Sequence, residues 1–161
     1  MPTRLFDFLS YQLKHRPLDR ALNTKHNGEW KSTSSAEYAS SANLISAAFL
    51  NLKIKPQDKI AMISSNNRSE WCIIDIGILQ AGAINVPIYP TISENDYDYI
   101  LNHSESKYCF VSDQEVYNKV IAIKKNVKNL IEIYSFDDIP GCKNWTELLT
   151  LGENNLNEEL L

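Results

Sequence analysis

The amino-acid sequence predicts an α/β protein with a parallel sheet, preceded by a helix and a β-hairpin. From residue 59 onward, short apolar segments alternate with segments of helical length and periodicity. The apolar segments show no polar alternation, which is typical of strands that are buried on both faces. Because connections of helical length join these segments, the strands are expected to run parallel, with right-handed crossovers.

Length and composition suit about one globular domain. The chain has 161 residues, 43 % of them hydrophobic and 22 % charged, so a sizeable core can be buried. Its net charge of −4 excludes a general basic footprint for nucleic acid or anionic lipid, although it is compatible with a local basic patch. Three widely spaced cysteines and an N-terminus unlike a secretory signal predict a cytoplasmic protein without a disulfide framework.

Residues 1–33 are predicted to form a helix and a hairpin. Leu5, Phe6, Leu9 and Leu13 share one face of a helix over residues 4–14, and Pro17 ends it. Two strand-like segments, residues 21–24 and 29–32, then flank Asn27-Gly28. Because both of these residues tolerate positive φ, the dipeptide favours a two-residue hairpin turn.

Residues 34–150 are predicted to form the α/β subdomain. Ser34 and Glu37 have the spacing of a capping box, which begins a long helix. This helix has a core-facing stripe at helical spacing: Tyr38, Ala42, Ile45, Phe49 and Leu52. Strands are expected at residues 59–64, 85–89, 108–111 and 130–134.

The helices of the subdomain follow from periodicity and caps. They are expected over residues 69–80, from the cap Ser93 with Asp96 three positions later, and around residues 116–127. A last short helix begins at Trp145. Pro87 lacks a backbone donor, so its strand should be short or at a sheet edge. These elements predict a Rossmann-like parallel-sheet subdomain with flanking helices, followed by a truncated linker at residues 151–161.

The glycines exclude the usual nucleotide-binding loops. The chain has five, and no three of them lie within one turn-sized window. Neither G-x-G-x-x-G nor G-x-x-x-x-G-K-[S/T] is present, so the sequence contains no standard phosphate cradle.

No catalytic residue and no metal ligand is assigned from the sequence. His15, His26 and His103 are scattered over two helix ends and a hairpin turn, which favours surface or capping roles. Cys72 and Cys109 lie in apolar elements, where cysteine acts as a small hydrophobic residue.

Residues 64–71 form the most informative stretch, since they join the end of a strand to the start of a helix. Ligands bind at such positions in open α/β sheets, and helix N-termini favour anions. The alternative is structural: Ser69 caps the helix, Glu70 complements its dipole and Trp71 packs beneath it.

Several motifs resemble the N-terminal part of long-chain fatty acyl-CoA synthetases, members of the AMP-forming adenylating superfamily. The similarity covers roughly residues 1–135. The motifs are Pro56-x-Asp58-x-Ile60-Ala61, Asn66-x-x-x-Glu70-Trp71, Ala81-Gly82-Ala83, Val86-Pro87-Ile88-Tyr89-Pro90-Thr91 and Tyr99-Ile100-Leu101-Asn102-His103-Ser104.

This resemblance implies an enzyme that joins a fatty acid to coenzyme A, with ATP and Mg²⁺, through an acyl-adenylate. The family's phosphate loop, adenine segment, ribose-binding Asp and catalytic Lys have no counterpart here, so the chain is expected to be an inactive N-terminal fragment that binds no cofactor itself. Its partner would be the remainder of the parent enzyme, and that enzyme is expected to lie at the periphery of a membrane. Four residues that match family motifs are expected at the edge of the substrate cleft: Asn66, Trp71, Tyr89 and Thr91.

Two other functional classes fit the same residues. One is a self-contained α/β module that binds a small ligand. The other is an interaction or dimerisation module, in which apolar surface exposed by truncation drives self-association.

Overall fold

The computed structural model describes residues 1–26 and 28–155, which divide into two compact units. Unit one contains Met1–Ile54, Asn67–Gly82 and the segment that begins at Leu148. Unit two contains Lys55–Asn66 and Ala83–Glu147.

Helices and strands alternate along most of the chain. In chain order the elements are α1 (Asp7–His15), β1 (Leu22–His26), β2 (Glu29–Thr33), α2 (Ser35–Asn51), β3 (Lys59–Ile63), α3 (Ser69–Gln80), β4 (Ile84–Ile88), α4 (Glu94–His103), β5 (Tyr108–Val111), α5 (Gln114–Ile123), a 3₁₀ turn (Lys124–Asn126), β6 (Glu132–Ser135), β7 (Lys143–Asn144) and α6 (Thr146–Glu153).

The predicted caps are confirmed by geometry. The Ser34 hydroxyl accepts a hydrogen bond from the Glu37 amide at 3.1 Å, and the Glu37 carboxylate accepts one from the Ser34 amide at 2.7 Å. Ser93 and Asp96 form the same reciprocal pair at the start of α4, with both distances at 3.2 Å. These bonds satisfy amides that helix geometry leaves without partners.

Most element boundaries agree with the predictions to within two residues, and three features differ. The first helix, predicted from residue 4, begins at Asp7. The helix predicted around residues 116–127 ends at Ile123 and continues as the 3₁₀ turn. The last strand, β7, was not predicted because its two residues carry no apolar pattern. Gly28 has the positive φ expected of the hairpin turn, whereas Asn27 and residues 156–161, part of the predicted linker, lie outside the described residues.

The sheet of unit two is parallel, with the strand order β4-β3-β5-β6-β7. Because β4 lies at an edge, Pro87 fits there without leaving a ladder bond unmade, as predicted. Ala61 of β3 is paired with Val86 on one side and Cys109 on the other. The two central strands β3 and β5 are almost completely buried. These observations confirm the parallel α/β class.

An apolar core lies on one face of this sheet. Ala61, Cys109 and Ile133 from neighbouring strands contact Tyr97 of α4 and Val120 of α5 in one buried cluster. Burying such a cluster supplies the main favourable term in folding.

Unit one contains the α1 helix, the two-stranded hairpin, α2 and α3. Ala42, Ile45 and Phe49 of the predicted α2 stripe are fully buried, which confirms the prediction of a core face. Helices α2 and α3 approach closely at Gly77, where an added Cβ would lie 2.5 Å from Ile45 Cγ2. Among the described residues, no helix is both long enough and apolar enough to span a bilayer.

Candidate functional site at the carboxyl edge of the sheet

The strand order of unit two reverses at one position. From β3 the chain continues to β4 on one side and then returns past β3 to β5 on the other. The carboxyl ends of β3 and β5 flank this switch point, which is where open α/β sheets bind ligands. Residues 64–66 follow β3, and Ser112 and Asp113 follow β5.

A hydrogen-bond network spans the switch point. The Ser65 amide donates to the Ser112 hydroxyl at 2.9 Å, and this hydroxyl donates to Asp113 Oδ2 at 2.7 Å. The other oxygen, Asp113 Oδ1, accepts from the Val116 amide at 3.0 Å and so caps α5. Ser112 is buried, which makes the network a fixed part of the fold.

Asp113 is charged at neutral pH. Burial acts to raise the pKa of this carboxyl, but hydrogen bonds from the Ser112 hydroxyl, the Val116 amide and the Ser65 side chain outweigh burial and hold the pKa below its ordinary value. Hydrogen bonds to the ionised form favour that form. The switch point therefore presents a carboxylate.

The loop after β4 is held by a buried tyrosine. Tyr97 of α4 is fully buried, and its hydroxyl donates to the carbonyl oxygen of Pro90 at 2.9 Å. Burial raises the pKa of Tyr97 to about 12, so the hydroxyl remains a donor at neutral pH. The Lys119 ammonium reaches the same carbonyl at 3.4 Å.

Three of the four predicted site residues lie at this edge. Asn66 follows β3, while Tyr89 and Thr91 follow β4, the neighbouring parallel strand. All three are exposed, and the Tyr89 side chain is 80 % exposed. The Asn66 carbonyl accepts a hydrogen bond from the Ser64 hydroxyl at 2.7 Å, which shapes the turn after β3.

Trp71, the fourth predicted residue, lies in α3 within unit one and is half-buried. The start of α3, close to Trp71 in the chain, differs from the sequence prediction. Arg68, not Ser69, is the N-cap residue, and it makes no side-chain cap bond. The Ser69 amide instead donates to the Thr24 hydroxyl of β1 at 2.7 Å. A cap from a distant strand carries no local sequence signal, which is why the prediction named Ser69.

The start of α3 also contains a buried ion pair. Arg68 and Glu70 side chains lie 2.7 Å apart, and His26 Nε2 is 3.7 Å from the same carboxylate oxygen. Glu70 is well placed to complement the helix dipole, as the structural interpretation of this segment expected. With the Ser69 amide occupied and a carboxylate adjacent, this terminus is poorly suited to an anionic ligand.

The described residues do not fit the ATP phosphates and Mg²⁺ that the resemblance implies. A phosphate at the switch point would meet the Asp113 carboxylate, and the Ser65 amide is already donated to Ser112. Within residues 1–26 and 28–155, no group of three or more His, Cys, Asp or Glu side chains is placed to hold a metal ion. We assign no step of phosphate or metal chemistry to these residues.

Sequence reasoning did not include Ser112, Asp113 or Tyr97 among the site residues. Ser112 and Asp113 follow a buried strand directly, a position that could have marked them. Tyr97 has an apolar helical spacing, so its role in holding the Pro90 carbonyl shows only in the tertiary structure.

The comparisons with known proteins agree on one family. Residues 9–155 match the family model described as AMP-binding enzyme. The long-chain-fatty-acid–CoA ligase ACSBG2 of Xenopus laevis is 24 % identical over 139 residues, which are 83 % of this chain and 19 % of that protein. The long-chain-fatty-acid–CoA ligase FadD15 of Mycobacterium bovis is 29 % identical over 107 residues, which are 66 % of this chain and 18 % of that protein.

A solved CoA ligase has a similar fold. The anthranilate CoA ligase AuaEII, solved in complex with anthranoyl-AMP, superimposes with a TM-score of 0.79 at 22 % identity. That match covers 93 % of this chain and 28 % of the solved one. The chain thus spans about one fifth of the length of the curated relatives that it matches.

Proposed function

Because this chain belongs to the AMP-binding enzyme family, we propose that it is the N-terminal part of a long-chain fatty acid–CoA ligase. The intact enzyme would consume a fatty acid, ATP and coenzyme A, and would form acyl-CoA, AMP and pyrophosphate. The observation that carries this proposal is the family match over residues 9–155, together with relatives whose names specify long-chain fatty acids.

We propose that the chain alone is inactive and supplies a structural subdomain. Its switch point carries the Asp113 carboxylate in place of a phosphate cradle, and its five glycines form no phosphate loop. ATP, Mg²⁺ and coenzyme A would bind to the remainder of the intact enzyme. That enzyme would work in the cytoplasm, at the periphery of a membrane.

The size of the native gene product tests this proposal first. An immunoblot of the source cells with an antibody to this chain should show a band several-fold larger than 18.4 kDa. The purified chain should catalyse no fatty-acid-dependent ATP–pyrophosphate exchange, whereas the larger protein should. A native band near 18.4 kDa, or exchange by the chain alone, would contradict the proposal and favour an independent binding module.

We further propose that Asn66, Trp71, Tyr89 and Thr91 border the substrate cleft of the intact enzyme. Tyr89 offers the sharpest test, because its side chain is 80 % exposed and its removal should not affect folding. Tyr89→Ala in the intact enzyme should raise KM for the fatty acid or ATP by about tenfold, the loss expected for one buried aromatic contact. Tyr99→Ala removes a similarly exposed tyrosine from α4 and is the matched control. Equal kinetics for both variants would exclude Tyr89 from the cleft.

A further inference from the structure

The loop between β4 and α4, residues 89–92, carries two of the residues proposed to border the substrate cleft. Tyr89 and Thr91 are both exposed, and the Tyr89 side chain is 80 % exposed. Packing within the described chain therefore does little to fix the direction of the Tyr89 side chain. That direction depends on the backbone from which the side chain projects.

Backbone hydrogen bonds do little to hold this loop. Strand β4 lies at the edge of the sheet, and none of the turn and loop hydrogen bonds between backbone groups of the described residues involves residues 89–92. Pro90 has no N–H group, so its carbonyl is the only backbone polar group that it offers. A proline also restricts the residue before it to an extended conformation, so Tyr89 has little freedom once the Pro90 carbonyl is held.

Tyr97 holds this carbonyl from the core. The side chain is fully buried and belongs to the apolar cluster that also contains Ile88 and Leu101. Its hydroxyl oxygen lies 2.9 Å from the Pro90 carbonyl oxygen and 3.3 Å from the Tyr89 carbonyl oxygen. The ring is fixed by packing, so the hydroxyl is a donor with a defined position.

A second donor reaches the same carbonyl from the neighbouring helix. The Lys119 ammonium of α5 lies 3.4 Å from the Pro90 carbonyl oxygen and 3.1 Å from Glu115 Oε1. A carbonyl oxygen has two lone pairs, which the Tyr97 hydroxyl and the Lys119 ammonium can both use. Helices α4 and α5 therefore both support the loop that carries Tyr89.

We propose that Tyr97 is a positioning residue of the intact enzyme, whose hydroxyl holds the backbone of Tyr89 and Pro90 and so keeps the Tyr89 side chain directed at the substrate. This inference rests on the proposed function, in which Tyr89 borders the substrate cleft. A contact group that is already in place loses less conformational entropy when the substrate binds. The Tyr97 hydroxyl should therefore contribute to substrate affinity and not to the chemical step.

NMR relaxation of the chain tests whether the hydroxyl orders the loop. Tyr97→Phe removes the hydroxyl and keeps the buried ring, so the fold should be retained. The backbone order parameters of Thr91 and Ile92 should fall from about 0.85, typical of rigid backbone, toward about 0.6. Tyr117→Phe is the matched control, because it removes a hydroxyl that donates to the Gly141 carbonyl at 3.3 Å, in a loop without a proposed cleft residue.

Steady-state kinetics of the intact enzyme test the effect on substrate binding. Tyr97→Phe should raise KM about fivefold, the loss expected for one hydrogen bond, for the substrate that Tyr89→Ala affects. Its kcat should stay within about twofold of the wild-type value, since only binding is weakened. A general loss of folded enzyme would instead lower the apparent kcat and leave KM unchanged. Tyr117→Phe should leave KM unchanged.

A double-mutant cycle tests whether Tyr97 acts through Tyr89. In the Tyr89→Ala enzyme no side chain is left to position, so adding Tyr97→Phe should change KM by less than about twofold. A fivefold effect that persists in the Tyr89→Ala enzyme would overturn the inference. So would equal effects of Tyr97→Phe and Tyr117→Phe, or unchanged order parameters of Thr91 and Ile92.

The wild-type enzyme separates this inference from the ligase proposal. Acyl-CoA formation from a fatty acid, ATP and coenzyme A is measured first. A wild-type enzyme that forms no acyl-CoA would contradict the ligase proposal, and the kinetic role of Tyr97 would fall with it. An active wild-type enzyme whose KM is unaffected by Tyr97→Phe would overturn the role of Tyr97 alone.

Discussion

At the scale of single residues, the polar groups at the carboxyl edge of the sheet form hydrogen bonds with one another. Asp113 accepts hydrogen bonds from the Ser112 hydroxyl and the Val116 amide, and Ser112 accepts one from the Ser65 amide. The Ser65 amide, the Ser112 hydroxyl and the Val116 amide, which could otherwise donate to a bound anion, are therefore occupied within the protein. These internal hydrogen bonds stabilise the subdomain. The polar groups at the switch point therefore have a structural role.

Because Asp113 is charged, the stability of the fold depends on pH, and the direction of this dependence can be predicted. Its pKa is lower in the folded chain than its ordinary value of 3.8. Such a group stabilises the fold above pH 3.8, and this contribution is lost as pH falls through the folded-state pKa. Asp113→Asn removes the charge and weakens the cap of α5, so the free energy of unfolding at neutral pH should fall by about 1–2 kcal/mol.

Urea denaturation across a series of pH values measures this effect. The Asn variant should also lose less stability than the wild type as the pH falls from about 5 to about 2. Asp19→Asn is the control, because Asp19 is exposed and makes no hydrogen bond that the described residues show. Parallel pH curves for Asp113→Asn and wild type would refute the assigned role of the carboxylate.

At the scale of elements, the packing of α2 on α3 depends on a missing side chain. The absence of a Cβ at Gly77 lets Ile45 approach to a distance that no alanine would permit. Intrinsic propensity favours alanine over glycine in a helix by about 0.5–1 kcal/mol. At this position propensity therefore favours alanine, whereas the close packing favours glycine.

Gly77→Ala decides between the two effects. An added Cβ would lie 2.5 Å from Ile45 Cγ2 and 3.1 Å from the Ala42 carbonyl oxygen, so the helices must shift apart. We expect a net destabilisation of about 1–3 kcal/mol, the usual cost of overpacking a core. Thermal unfolding followed by circular dichroism measures the change. A raised Tm would mean that the α2–α3 contact is looser than the structure shows.

At the scale of the whole molecule, two compact units are assembled from interleaved chain segments. Unit one contains α3, which lies along the chain between the first two strands of the sheet. It also contains the segment from Leu148 onward. The boundaries predicted at residues 33/34 and 150/151 follow the order of the chain and remain predictions. The chain spans about a fifth of the curated relatives, so adenylation, thioester formation and membrane attachment are argued above as proposals for an intact enzyme.

The uneven charge distribution also belongs to this scale. The first twenty residues are basic and the remainder of the chain is acidic, so the net charge alone describes neither part. The sequence argument against a general lipid-binding footprint therefore concerns the net charge of the whole chain and does not describe its first twenty residues.

The sequence alone determined the fold class, the capping boxes, the edge position of Pro87 and the family resemblance, because these depend on local spacing. Buried strands, helix caps and turn glycines carry their signals within a few residues of the chain. Only the tertiary structure decided which groups meet: Thr24 at the start of α3, Tyr97 beneath the Pro90 carbonyl, and Ser65 across the switch point from Ser112. These contacts join residues on separate elements, so their geometry depends on how the chain packs and no local pattern encodes them.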